Sequence, residues 1–360
     1  MNILFVYYYP SGGVETLARQ RSYALKSHGI KFDFLYYRQG PGLQNIEDTS
    51  TFITDDDKEI QKILNQGNYK VIIVCTDHSF LDRVRKMNFK GKLIYEVQGL
   101  GSFLEAQEWL RQAQPHINEN ADALLFPKTS HLTRLIEMYY PSNKKYSFHN
   151  CIDINTFSYR KVKHSEEKPI IGWVGRIEEN KNWKGFLDIG HGLIKINPLI
   201  NLWMFIDSTL MDPNQEKQFK YLVNEYQLNN NLKIYDNIPH QKMAEYYSII
   251  RDSGGFLCST SKVEGFGYAI VEAMSCRCPV LTTDSDGIKS FVLHDYTGKI
   301  YSHDNIQAAI KEAIILLFNN PLREKISLNA QHYIYTHFTP EKYAKNFMNM
   351  LRDLGVYITE

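Results

Sequence analysis

Excess charge of either sign is missing from this chain: 41 Lys and Arg face 40 Asp and Glu, a formal net charge of +1 over 360 residues. A nucleic-acid binder normally carries a basic surplus, so that class is set aside. Cysteine is scarce too. Cys75, Cys151, Cys258, Cys276 and Cys278 are odd in number and follow neither a disulfide framework nor a zinc pattern. Cys276 and Cys278 are separated by a single residue, closer than paired zinc ligands usually stand. All five read as small buried residues of a reducing compartment. No apolar run approaches the length of a bilayer span, and Met1-Asn2-Ile3-Leu4-Phe5-Val6 carries no basic signal-peptide head. The expectation is therefore a cytoplasmic protein. Internal repeats and low-complexity tracts are absent, which excludes a solenoid or array.

What is present is the composition of an ordinary folded enzyme, 43% hydrophobic and 22% charged. The charge leans slightly, with 21 cations to 17 acids through Ser165 and 20 to 23 after it. That lean reads first as ordinary scatter, with peripheral contact at the inner face of an anionic membrane as the alternative. Short apolar runs alternate with amphipathic stretches. Residues 3–9, 30–37, 71–75, 93–97 and 123–126 read as strands, and 14–28 as a helix that Gly29 caps. A charged stretch at 159–168 without apolar period reads as a linker. The pattern then restarts, with strands at 170–174, 202–206, 232–235, 255–258 and 279–282. Helices are expected at 185–196, 215–226, 241–249 and 268–275, and all-helical chain from about Asp304. The β-α-β alternation predicts α/β architecture: two Rossmann-like, doubly wound parallel-sheet domains, at 1–160 and 168–338, and a final helical segment, 339–360.

In open parallel sheets ligands bind beyond the carboxyl ends of the strands, so the residues after each strand matter most. After the first comes Pro10-Ser11-Gly12-Gly13-Val14-Glu15, opening a helix. Paired glycines there let backbone N–H groups approach a phosphate or sugar, although a structural turn explains them equally well. A nicotinamide enzyme would carry Gly-x-Gly-x-x-Gly and an acid closing the second strand; here that strand closes on Tyr36-Tyr37-Arg38. After 170–174 comes Gly175-Arg176-Ile177-Glu178-Glu179-Asn180-Lys181, which places two cations in one loop. Together they can neutralise a leaving diphosphate without a metal, although taken alone they read more readily as solvated surface charge. After 255–258 comes a loop ending Glu264-Gly265-Phe266-Gly267, with Glu272 eight residues beyond Glu264 inside an otherwise apolar helix. A carboxylate in that setting needs a partner. Sugar or ribose hydroxyls would serve, and so would an ion pair within the domain.

Taken in order, these segments resemble family 4 of the retaining GT-B glycosyltransferases (glycosyl transferases group 1). The resemblance also rests on His149-Asn150-Cys151-Ile152-Asp153-Ile154-Asn155-Thr156-Phe157, Pro279-Val280-Leu281, Asp286-Gly287-Ile288 and Thr297-Gly298. It is strong over 150–300 and weak over 30–126, where acceptors usually bind. It implies a GT-B fold whose two domains face across a cleft and close around the substrates, with the last helix crossing back to the first domain. Arg176 and Lys181 would hold the donor diphosphate and stabilise its departure, Glu264 would approach the donor sugar, and Glu272 would bind the ribose. Gly12, Gly13, Gly265, Phe266, Gly267, Asn237 and Ile238 would contact the donor; Gln98, Glu15 and Asn150 would contact the acceptor or a sugar. No metal and no cofactor would be needed beyond the nucleotide diphosphate sugar. The acceptor would be a glycan, a lipid-linked sugar or another hydroxyl compound, in cell-surface polysaccharide assembly.

This chain departs from the family pattern at three places. Glu96-Val97-Gln98-Gly99 puts Gln98 where a histidine is frequent, and glutamine cannot act as acid or base. The strand at 202–206 ends in Asp207-Ser208-Thr209 instead of Gly-x-Gly, and Arg277 stands where a glycine is usual. Asp55-Asp56-Asp57 and Asp284-Ser285-Asp286 match Asp-x-Asp, which binds a metal in another glycosyltransferase fold, but the first precedes a helical run and reads as a helix start, the second lies in a loop just before Gly287, and neither is taken as a metal site. The tyrosine clusters at 7–9, 36–37 and 139–140 read as strand packing, and His78, His116 and His131 share no ligand spacing. The expectation is a retaining glycosyltransferase. A sugar-nucleotide epimerase on a related fold and a non-catalytic sugar-binding relative, the latter motivated by Gln98, are the alternatives.

Overall fold

The computed structural model describes residues 1–163 and 168–357. Part of the charged stretch at 159–168 therefore lies outside the described residues. The chain divides into two compact units, Met1–Asp153 with Phe338–Glu360, and Ile154–His337. The division falls before the composition break. Phe157 is buried and its carbonyl accepts from Ser275 Oγ, while the Arg160 N–H donates to Ser248 Oγ at 3.1 Å, so this segment already belongs to the second unit.

In the first unit the strands are β1 (Asn2–Tyr7), β2 (Lys31–Tyr36), β3 (Thr51–Ile53), β4 (Tyr69–Cys75), β5 (Lys92–Glu96), β6 (Ala123–Phe126) and β7 (Lys145–Ser147). They form one sheet in the order β3-β2-β1-β4-β5-β6-β7, and every pairing is parallel. The central strands explain this: Ile3-Leu4-Phe5-Val6 and Val71-Ile72-Ile73-Val74-Cys75 are continuous apolar runs, all fully buried, as strands covered by helices on both faces must be. The order reverses between β1 and β4, which makes that edge the switch point where ligands are received. The helix Gly12–Lys26 follows β1 and ends as expected. Gly29 turns left-handed at φ +71°, and the Ile30 N–H returns to the Leu25 carbonyl.

The second unit repeats the plan with β8 (Ile170–Val174), β9 (Asn201–Ile206), β10 (Leu232–Asp236), β11 (Phe256–Ser259), β12 (Val280–Thr283) and β13 (Lys299–Tyr301). The order β10-β9-β8-β11-β12-β13 is again wholly parallel, with its switch point between β8 and β11. Three strands were not expected from the sequence: β3, β7 and β13. Each has three residues and closes one edge of its sheet. Such strands carry no apolar run; they form because a buried neighbour offers backbone partners.

From Ile306 to Asp353 the elements are all helices, and the last of them, Pro340–Asp353, belongs to the first unit. Tyr343, Phe347, Met350 and Leu351 are its buried face, packed on helix Gly12–Lys26. No helix among the described residues is long and apolar enough to cross a membrane. All five cysteines are buried and none forms a disulfide, and burial pushes Cys151 and Cys278 up to about 12, out of nucleophilic range.

Candidate active site

In the second unit the switch point places the loop after β8 beside the loop after β11. Hydrogen bonds join the two along their length. Asn180 accepts from the Val263 N–H at 3.1 Å and donates to the Val263 carbonyl at 3.0 Å, and its own carbonyl accepts from the Lys262 N–H at 2.8 Å. Beneath them Trp173 Nε1 donates to Thr260 Oγ1 at 2.9 Å, and Thr260 Oγ1 donates to the Lys181 carbonyl at 2.9 Å. A Cβ on Gly287 would stand 2.2 Å from the Glu264 carbonyl oxygen, so glycine there is what lets the second loop settle.

Lys181 and Glu264 meet at the junction, Nζ to Oε1 at 2.5 Å, with both side chains mostly buried. Arg176, at the strand tip, is about a third exposed and donates to Glu178 at 3.1 Å. Both expected cations thus lie in one loop at the switch point, one paired with Glu264 and the other with a residue of its own loop. Gly267 caps helix Tyr268–Ser275 in the left-handed conformation, φ +76°. The start of a helix carries partial positive charge from its aligned peptide dipoles and favours an anion. The Phe266 ring is buried against Tyr268 and Phe291, so toward a ligand this residue offers its main chain.

Glu272 is 3% exposed, and both of its oxygens are engaged inside the unit. His240 Nε2 lies 2.7 Å from Oε1, and the Tyr247 hydroxyl donates to Oε2 at 3.0 Å. The carboxylate is held by protein groups, each oxygen keeping a second lone pair for a ligand hydroxyl. Burial, then the adjacent carboxylate, pushes the Tyr247 phenol well above its ordinary range and keeps it a donor. Neither partner was foreseen. His240 lies two residues beyond the predicted contacts Asn237 and Ile238, and Tyr247 lies on the buried face of helix Met243–Asp252. Asn237 is left-handed at φ +46°, with its N–H on the Ile206 carbonyl at 2.8 Å. Asp236 accepts from the Ser208 N–H and hydroxyl, and Asp207 from the Thr209 N–H, so local hydrogen bonds close the β9 end that lacks the usual glycines.

In the first unit Gly12 begins its helix at φ +66°, with open space where a Cβ would stand. Gln98 and Asn150 are brought together, Asn150 Nδ2 donating to Gln98 Oε1 at 2.8 Å. Glu15 does not join them. It is 2% exposed and its carboxylate is paired with Arg19 one helical turn on. Gln98 also donates to Glu96 at 2.8 Å, and Glu96 is ion-paired with Arg21, both fully buried. His78 and His116, distant in sequence, stack at 4.8 Å, and burial, then His116, lowers the His78 pKa.

The acidic motif Asp55-Asp56-Asp57 has structural partners. Asp56 caps helix Asp57–Gly67, while Asp55 and Asp57 both pair with Arg83. Among the described residues, His294, Asp295 and Glu312 gather potential ligand atoms within 4.8 Å. The Lys299 ammonium already pairs with both carboxylates there, at 2.8 Å from Glu312.

Two parallel doubly wound sheets, with a cationic loop, a glycine-capped helix and a buried carboxylate at the second switch point, define the chain as an α/β protein of the GT-B glycosyltransferase class. It belongs to the glycosyl transferases group 1, whose family model matches residues 155–333, nearly all of the second unit. Sucrose synthase 2 of Zea mays is 25% identical over 209 residues, covering 54% of this chain and 25% of that protein. The match thus spans about a quarter of the length of that relative. Sucrose-phosphate synthase from Thermosynechococcus elongatus shares the fold with a TM-score of 0.80 at 18% identity, over 98% of this chain and 99% of that one. Anabaena HepE, solved in complex with UDP and glucose, also has a TM-score of 0.80, at 17% identity over 98% of this chain and 100% of that one.

Proposed function

We propose that this protein is a retaining glycosyltransferase that moves a sugar from a nucleoside diphosphate sugar to a hydroxyl acceptor. The observation that carries it is the pairing of Arg176 and Lys181 in one loop at the β8–β11 switch point, beside a glycine-capped helix start and Glu264. Departure of a diphosphate concentrates negative charge at the phosphoryl oxygens, and fixed cations with backbone N–H donors stabilise it. A metal is not needed for this step, since the two side chains supply the positive charge. In the bound state Lys181 exchanges part of its contact with Glu264 for the diphosphate, leaving Glu264 beside the sugar. Glu272, held on both oxygens, is pre-aimed to accept from the ribose hydroxyls. UDP and glucose, with which Anabaena HepE was solved, fit the same donor class.

The first unit holds the acceptor, with Gln98 and Asn150 as sugar contacts. Gln98 cannot take a proton. The acceptor hydroxyl therefore gives its proton to the departing phosphate oxygen, as its own oxygen bonds to the anomeric carbon on the face the nucleotide leaves. Configuration is retained. A glycan, glycolipid or other hydroxyl compound of cell-surface polysaccharide assembly is the acceptor class of this proposal, and the inner face of the membrane its place of work.

The test is incubation with UDP-glucose, GDP-glucose or ADP-glucose, with and without a panel of alkyl glycosides, followed by proton NMR of the products. The expected result is nucleoside diphosphate release that depends on the acceptor, with a new α-glycosidic bond from the α-linked donor. An epimerised donor in the absence of acceptor, or a β-linked product, would overturn the proposal. Turnover with none of the donors would favour the non-catalytic alternative.

A further inference from the structure

Gln98 leaves the end of β5 two residues after Glu96. Its amide has two ends of similar shape and opposite polarity, so something must choose which end faces which neighbour. The choice is made by Glu96. A carboxylate only accepts, so the Gln98 NH₂ must face it, Nε2 to Oε1 at 2.8 Å. The Gln98 oxygen then turns to the Asn150 NH₂, also at 2.8 Å, and Asn150 is 3% exposed. Glu96 is itself fully buried, where a carboxylate keeps its charge only beside a cation. The cation is Arg21, fully buried as well, from helix Gly12–Lys26. Arg21 is in turn aimed by the last helix. Its Nε donates to the Tyr343 hydroxyl at 2.7 Å, and its guanidinium lies between about 5.6 and 5.9 Å from the ring centres of Phe5, Tyr343 and Phe347. Burial keeps the Tyr343 phenol protonated, above its ordinary range.

From this chain of contacts, all within the first unit, we infer that Tyr343 and Arg21 are positioning residues that fix the orientation of the Gln98 side-chain amide. The last helix thereby sets which hydrogen-bonding groups Gln98 offers to a sugar: its second N–H and the second lone pair of its oxygen. The inference rests on the reading of Gln98 as a sugar contact. It also gives the return of the chain's end to the first unit a role beyond packing.

The test uses the full chain with ¹⁵N-labelled glutamine side chains and no substrate. Gln98→Leu assigns the Gln98 amide pair by its disappearance. Tyr343→Phe, which removes only the hydroxyl, is expected to shift that pair and to speed its exchange with solvent about fivefold, the equivalent of one hydrogen bond's net worth. Leu351→Ala, which removes buried packing from the same helix, is expected to leave the pair in place. An unmoved pair in Tyr343→Phe, or an equal change in Leu351→Ala, would overturn the inference. Because no sugar is present, this outcome is independent of whether Gln98 touches an acceptor; that reading fails separately if Gln98→Leu leaves transfer to the alkyl glycosides unchanged.

Discussion

Arg176→Ala is expected to lower sugar transfer by about 10²–10³-fold, the usual cost of removing one group that stabilises charge in the transition state. Lys181→Ala should do the same. The loss should fall mainly on kcat, because the diphosphate carries more charge as it leaves than it does in the intact donor. The double variant should lose less than the product of the single losses, since both cations act on one leaving group. A structural role predicts otherwise. Arg176 is partly exposed and bonded to Glu178 within its own loop, so as a surface pair it would contribute little to stability. Steady-state kinetics with melting curves on the same samples separates the two. Unchanged kcat in both single variants would remove the observation on which the proposed function stands.

The second large effect concerns folding. Arg21 and Glu96 are both fully buried and paired. Arg21→Met would leave the carboxylate buried with only the Gln98 amide against it, a loss of about 3–5 kcal/mol. In a unit of this size that is a fall in melting temperature on the order of 10 °C. Arg21→Met combined with Glu96→Leu removes both charges and should recover most of the loss, because the penalty lies in the orphaned charge and not in the missing pair. Scanning calorimetry on the two variants is the measurement. A double variant no more stable than Arg21→Met would mean that packing of the guanidinium between Phe5 and Phe347 carries the stability.

Much of this was written in the sequence, for identifiable reasons. Ile170–Val174, Ala123–Phe126 and the helix Tyr268–Ser275 are found at the expected residues, since an uninterrupted apolar run or a glycine before a helix is a local signal. The loops after β8 and β11 were legible as chemistry because their cations and glycines are contiguous. Their joining through Asn180 was not, because the partners are 83 residues apart. Glu272 shows the same limit. Its need for a partner followed from its apolar neighbours, but His240 and Tyr247 lie 32 and 25 residues away. Glu15 stands two residues after Gly12-Gly13, and its pairing with Arg19 at helical spacing could have been read from the sequence. Arg21, Glu96 and Tyr343 gave no signal, since a buried charge looks like any surface charge until the fold joins helix, strand and chain end.

The central claim is a nucleoside diphosphate site in the second unit, and calorimetric titration with UDP, GDP and ADP tests it most directly, first on the native chain and then on Lys181→Ala. The account predicts clear binding of one of the three, weakened about tenfold or more by the substitution, equivalent to about 1.4 kcal/mol. Binding that Lys181→Ala leaves untouched, or no binding of any of the three, would contradict it.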